Sequence, residues 1–158
     1  MDKIRLVVRK ILIVLLVLWM IVVFGLSNQN GSESGSLSRK IATFFANGNT
    51  ATAEKLEPVI RKVAHMSEYG VGAMIFYGIT MTYEGMSRKK RIILSFAFII
   101  LYAASDEFHQ TFIDDRSGNV TDVIIDTCGG AIGILAMFII EKAIITIDNN
   151  VKESVKNQ

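Results

Sequence analysis

Residues 11–26 form an unbroken run of sixteen apolar side chains, preceded by Lys3, Arg5, Arg9 and Lys10. A helix rises 1.5 Å per residue, so about 20 apolar residues cross a hydrocarbon core of ~30 Å. The full apolar segment, 6–26, meets that length. A cleaved signal peptide has the same basic start and small residues such as Gly25 and Ser27 at its end. The length of the uninterrupted run exceeds an ordinary signal core and favours an uncleaved span.

Three more segments, about 63–83, 92–110 and 120–140, are long and apolar enough to follow it across. The fold expected is an all-α polytopic membrane protein, a four-transmembrane-helix bundle with an outer loop 27–62. One membrane domain covers 1–158, with a tail 141–158. Composition agrees: 51% of residues are apolar and 20% charged, and mean hydropathy is +0.40, where soluble domains carry about a quarter charged residues. That disfavours a soluble enzyme and a disordered chain. A formal charge of +2 gives no basic surplus for nucleic acid. The single Cys128 excludes an internal disulfide and a multi-Cys zinc site. A single proline points to long helices.

Orientation follows from the basic flanks. The N-terminus, the 88–91 turn and the tail hold eleven of the 17 Lys and Arg, and the other two loops hold six. The positive-inside rule then puts both termini in the cytoplasm and loops 27–62 and 111–119 outside. Loop 27–38 is rich in Ser, Gly and Asn and reads as a mobile stretch. Beyond it, Ile41, Phe44 and Phe45 precede a helix-favouring segment 51–57. These fit short helices on the outer membrane surface or an ordinary loop packed over the bundle.

Charges inside spans are costly and by default mark a site. Here they are ordered. Arg61, His65, Glu68 and Gly72 stand at i, i+4, i+7 and i+11, on one helical face. Asp122, Asp126, Gly129 and Gly133 repeat the spacing on the last span, and Tyr102, Asp106 and Gln110 line one side of the third, with His109 nearby. All fall in the outer half of the membrane under the expected orientation. Each stripe on the second and fourth spans continues inward as glycine, which lets backbones approach. The simplest assembly turns the stripes together, with Arg116 in the 111–119 loop reaching over them.

Mutual neutralisation would explain some of these charges. Glu68, Asp106, Glu107, Asp122 and Asp126 nevertheless outnumber Arg61, Arg116 and a protonated His65. His65, Glu68, Asp106 and Glu107 are therefore the acid–base candidates, and Arg61, Tyr69, Gln110, Arg116, Asp122 and Asp126 the ligand-binding ones. His65, Glu68 and Asp106 could offer mixed ligands to a divalent metal, but no HExxH pattern accompanies them and no metal is expected. The sequence names no cofactor. Cys128 reads as a small packing residue, and Asp114 and Asp115 as solvated loop charge.

The stretch R-K-x-x-H-x-x-E-Y (61–69), then D-E-x-x-Q (106–110), Arg116 and T-D-V-x-x-D-T-x-G-G-x-x-G (121–133) resembles the VanZ-like family of small bacterial membrane proteins. Ser27 and Gln29 after the first span extend the likeness over essentially the whole chain. The resemblance implies several membrane helices, a bacterial plasma-membrane location and a link to teicoplanin susceptibility. On the motif match, His65, Tyr69, Asp106, Glu107, Gln110, Arg116 and Asp122 are family-typical positions, whereas Asp126 stands where members often have Asn.

Three function classes remain. One is an enzyme acting on a lipid-linked or anionic envelope molecule, its arginines holding a phosphate or carboxylate. Another is a non-catalytic protein that binds or shields a wall precursor or a lipoglycopeptide. The third, a small transporter, fits least, because the inner halves of the spans lack polar groups. The partners expected are the lipid bilayer and such an envelope ligand, with oligomers allowed and nucleic acid excluded.

Overall fold

The computed structural model describes residues 3–28, 31–113 and 118–156, the side chains of 31–34 excepted. Among them are five helices and no strand: α1 Lys3–Ser27, α2 Gly31–Phe45, α3 Thr50–Met81, α4 Arg88–Gln110 and α5 Val120–Lys156. Three of these, α1, α4 and α5, are long and apolar enough to cross a membrane. The remaining long helix, α3, carries the Arg61–His65–Glu68 stripe and the charges before it, which dilute its apolar half.

The core forms where α3, α4 and α5 meet, with α1 laid against them. Val23, Tyr69, Ala73, Tyr77, Ile99, Ala103 and Ile134 are its buried members. Small residues set the spacing. Gly129 and Gly133 on α5 lie so close to α3 that a Cβ on either would strike the backbone of Met66 or Gly70. Gly72 on α3 seats the indole of Trp19, and Gly130 on α5 seats Ile99. Of the inward glycine stripes expected from spacing, that of α5 (Gly129 and Gly133) lies at the α3–α5 contact, whereas Gly72 of α3 faces α1. On α1 Leu16, Val23 and Ser27 are buried and Leu6, Leu12, Trp19 and Met20 half-buried, while the remaining apolar side chains are exposed, as a helix with one face to lipid requires.

Segment 27–62 differs from the expectation of a mobile stretch followed by short surface helices or an ordinary packed loop. α2 starts at Gly31 and α3 already at Thr50, running 32 residues without a break through Pro58. Two effects account for this. Gly35, Ser38 and Ala42 are buried and spaced so that they share one face of α2, and buried Ala46 follows just past its end. Ala42 and Ala46 pack with Ala53, Leu56 and Ile60 of α3 as a second small core. That packing holds a stretch of poor helix formers helical, as tertiary contacts often do. Pro58 lies on an exposed face, where water can serve the carbonyl its missing N–H leaves unbonded. Asn47 and Gly48, with φ 49 and 81, reverse the chain between the two helices, and Asn49 caps α3 by accepting from the Thr52 N–H. Gln29 lies outside the described residues.

At the other end, Ser87 caps α4 and Gly85, φ 72, makes the turn before it. Here the basic flanks are tied to the bundle. Arg9 donates to Thr82 Oγ1 and to the Thr82 carbonyl, both at 2.8 Å. Arg91 and Arg88 reach Glu141 Oε1 at 2.7 and 3.4 Å, and Tyr77 donates to Glu141 Oε2 at 2.5 Å. The N-terminus, the α3–α4 turn and Glu141 therefore share one end of the molecule.

Candidate functional site

The acidic residues gather toward the opposite end. Asp106, Glu107 and Gln110 are buried in the last turns of α4, and Asp126 is buried on α5 at 1% exposure. Tyr69, fully buried on α3, donates its hydroxyl to Asp106 Oδ2 at 3.1 Å, and Gln110 Nε2 donates to the same oxygen at 3.2 Å. One carboxylate oxygen is thus fixed by two donors from two helices. The other, Oδ1, is buried without a hydrogen-bond partner.

Asp126 faces α3. Its Oδ1 lies 3.9 Å from His65 Nδ1, too long for a direct hydrogen bond and suited to a bridging hydroxyl or water. Both oxygens of Asp126 are buried without a hydrogen-bond partner, as are His109 Nε2 and Ser27 Oγ. Glu107, Asp106, Asp122 and Glu68 all lie within electrostatic range of Asp126. Burying this much like charge is unfavourable unless a cation, protons or a hydrogen-bonding ligand relieve it.

Glu107 has a further role: its Oε2 accepts the Asn119 N–H at 2.8 Å, which fixes the chain as it enters α5. Gly118 rests on the Glu107 carbonyl so closely that a Cβ would collide. Glu68 is half-buried, and its carbonyl accepts the Trp19 indole N–H at 3.0 Å. Asp122 is half-buried one turn before Asp126. Arg61 is exposed and takes part in none of the described hydrogen bonds or ion pairs. Arg116, expected over the cluster, lies outside the described residues, as do Asp114 and Asp115. The structure thus brings Tyr69, Asp106 and Gln110 into one network and His65 and Asp126 beside each other, and leaves Arg61 apart. Among the described residues no three His, Cys, Asp or Glu side chains form a group that could hold a metal ion.

Sequence reasoning missed the floor of the site. Trp19 of α1 packs edge-on to Tyr69 at 6.0 Å between centroids and against Tyr102 at 4.9 Å. Tyr102 in turn donates to the Met20 carbonyl at 2.9 Å. The ring of Phe24 stacks on His109 at 4.4 Å. A lone tryptophan in an apolar run opposite a helical glycine was the available signal. The Tyr77–Glu141–Arg91 cluster at the other end was also missed, although Glu141 is the first charge on α5 after Asp126.

These helices define a small all-helical membrane protein with carboxylates converging at one end. The chain belongs to the VanZ family: the VanZ/LLP1 family pattern matches residues 12–141. Among curated proteins and among solved structures, none matches the chain.

Proposed function

We propose that the protein is a four-span bacterial plasma-membrane protein with both termini cytoplasmic, formed as one domain over 1–158. In this reading α3 is the fourth span, and α2 with the start of α3 lies outside. The carboxylate cluster then faces the outer leaflet and acts on a cell-envelope molecule with hydroxyl and phosphate or carboxylate groups, such as a lipid-linked wall precursor. The observation that carries this reading is Asp126: buried, without a hydrogen-bond partner, 3.9 Å from His65 and surrounded by other carboxylates. A ligand hydroxyl bridging His65 and Asp126 would supply the missing donor. When that hydroxyl turns its proton to His65 Nδ1 instead, the imidazole is placed to take it, and the charge of Asp126 stabilises the imidazolium that forms. Glu68, Asp106 and Glu107 are the further acid–base groups, and Asp122 stands at the mouth. Tyr69 and Gln110 fix Asp106 so that its free Oδ1 can accept from a second ligand hydroxyl. Arg61 supplies charge for an anionic group, a part the sequence also offers to Arg116.

Mass spectrometry of envelope lipids and glycans tests this reading in cells expressing wild type, His65→Ala or Asp126→Asn at matched levels. Wild type is expected to shift a lipid-linked species that both variants leave unchanged, with teicoplanin susceptibility moving in parallel. Identical lipid and glycan profiles in all three strains would overturn the catalytic reading.

A second reading is binding without turnover. The exposed Ile41, Phe44 and Phe45 on α2 favour it, because they offer an apolar surface beyond that end of the bundle. Saturable, stoichiometric binding of lipid-linked precursor or teicoplanin with no product supports it, and no saturable binding of either sinks it.

A further inference from the structure

Far from the carboxylates, at the end carrying the basic residues, α1, α3 and α5 leave a groove of about 470 Å³. Ile4, Val8 and Leu12 line it from α1, at the four-residue spacing of one helical face. That face runs ~12 Å along the helix axis. Met74 and Met81 of α3 and Met137 of α5 close the other side, and thioether chains adapt readily to a flexible apolar occupant. Gly78 keeps the groove open: a Cβ there would stand 3.4 Å from Leu12 Cδ1, and a larger side chain would fill the space.

Only the mouth is polar, formed by Arg5 and Thr82. The two nearby arginines differ. Arg9 is fixed by both its bonds to Thr82, and its guanidinium lies 3.7 Å over the Tyr83 ring. Among the described residues Arg5 pairs with Glu84, at 2.9 Å, their side chains 50% and 62% exposed. Exposed pairs of this kind are weak and exchange readily for another anion. An apolar channel on a lipid-facing helix, ending at one exchangeable and one fixed guanidinium, has the shape and charge order of an anionic phospholipid.

We infer that this groove is a binding site for an anionic phospholipid. One acyl chain lies along Ile4, Val8 and Leu12. The phosphate accepts from Arg5 in place of Glu84, and Arg9 supplies a second, pre-positioned positive charge. The site is independent of the carboxylate cluster, so it stands or falls apart from the function proposed above.

Native mass spectrometry of the full chain, equilibrated in detergent with equal phosphatidylglycerol and phosphatidylcholine, tests the inference. Wild type is expected to retain phosphatidylglycerol preferentially. Arg5→Ala should weaken that preference roughly fivefold, the scale for one basic residue at an anionic surface. Glu84→Gln, an exposed change that frees Arg5, should strengthen it, and Gly78→Leu should remove both lipids. Equal retention of the two lipids by wild type overturns the inference, as does an undiminished preference in Arg5→Ala. A lipid-free dimer that Gly78→Leu breaks would show instead that a second copy occupies the groove. If Arg5→Ala does not fold, an unchanged preference in Glu84→Gln is the overturning result.

Discussion

Asp126 and Glu141 sit on the same helix, both buried, and their surroundings are opposite. Glu141 is saturated by Tyr77, Arg91 and Arg88, whereas neither oxygen of Asp126 has a hydrogen-bond partner. Truncating one partner of a buried ion pair leaves the other charge uncompensated. Glu141→Ala should therefore destabilise by roughly 3–5 kcal/mol, read as a large fall in melting temperature in detergent, with Glu141→Gln falling less. Asp126→Asn should do the reverse. Removing a buried carboxylate that has no hydrogen-bond donor is expected to stabilise by roughly 1–3 kcal/mol of relieved desolvation, read as a higher melting temperature, while abolishing the lipid shift proposed above. Stability gained as function is lost separates a working residue from a structural one. Gly133→Val tests the close α3–α5 contact: a side chain there must displace the Gly70 backbone. Overpacking of this kind costs about 1–3 kcal/mol, again visible in thermal unfolding. The periodicity of Asp126, Gly129 and Gly133 was legible from the sequence. That Asp126 lacks a donor was not, because hydrogen bonding depends on which side chains of α3 and α4 face it.

At the scale of elements, α3 is divided in its duties. Its first part carries α2 through the small core of Ala42, Ala46 and Ala53, and its second part enters the main core at Tyr69, Ala73 and Tyr77. The two cores share no residue. Ala42→Asp places a charge in the smaller one, where Ala42 is fully buried, and should free α2 from α3. Hydrogen exchange is then expected to rise across 31–45 by orders of magnitude and to stay unchanged in α4. A rise spread evenly over both cores would show that they unfold as one unit. The sequence suggested a mobile stretch over 27–38, because Ser, Gly and Asn are poor helix formers. Packing of one small-residue face onto another overrode that local preference from Gly31 onward. The apolar runs of α1, α4 and α5 needed no such help, and their existence followed directly from hydropathy.

Across the whole molecule, polar groups separate into two ends with an aromatic and aliphatic middle of Trp19, Tyr69, Phe98, Ile99 and Ile134 between them. The basic end is bound by Arg–Glu and Arg–Thr contacts, and the acidic end retains unpartnered oxygens. If the basic end is cytoplasmic, a Thr52→Cys variant in a Cys128→Ser background should react with a membrane-impermeant maleimide on intact cells. Asn149→Cys should react only after permeabilisation. Both positions are exposed, so accessibility within the fold does not limit the labelling. The reverse pattern would place the carboxylates at the cytoplasmic face and remove the envelope ligand from reach.

The sequence by itself determined that this is a membrane protein and where the apolar helices α1, α4 and α5 lie. Long apolar runs are stable as helices in a bilayer, and the spacing of charged and small residues along them assigns each to a face, since both follow from local geometry. It also carried the family, because the motifs are contiguous in the chain. Only the tertiary structure decided which faces meet: that Tyr69 and Gln110 share Asp106, that His65 stands beside Asp126, and that Arg61 stands apart. It also revealed Glu141 as an anchor and the groove along α1. Contacts between helices depend on crossing angle, rotation and separation, and glycines at 129 and 133 set these by letting two backbones touch.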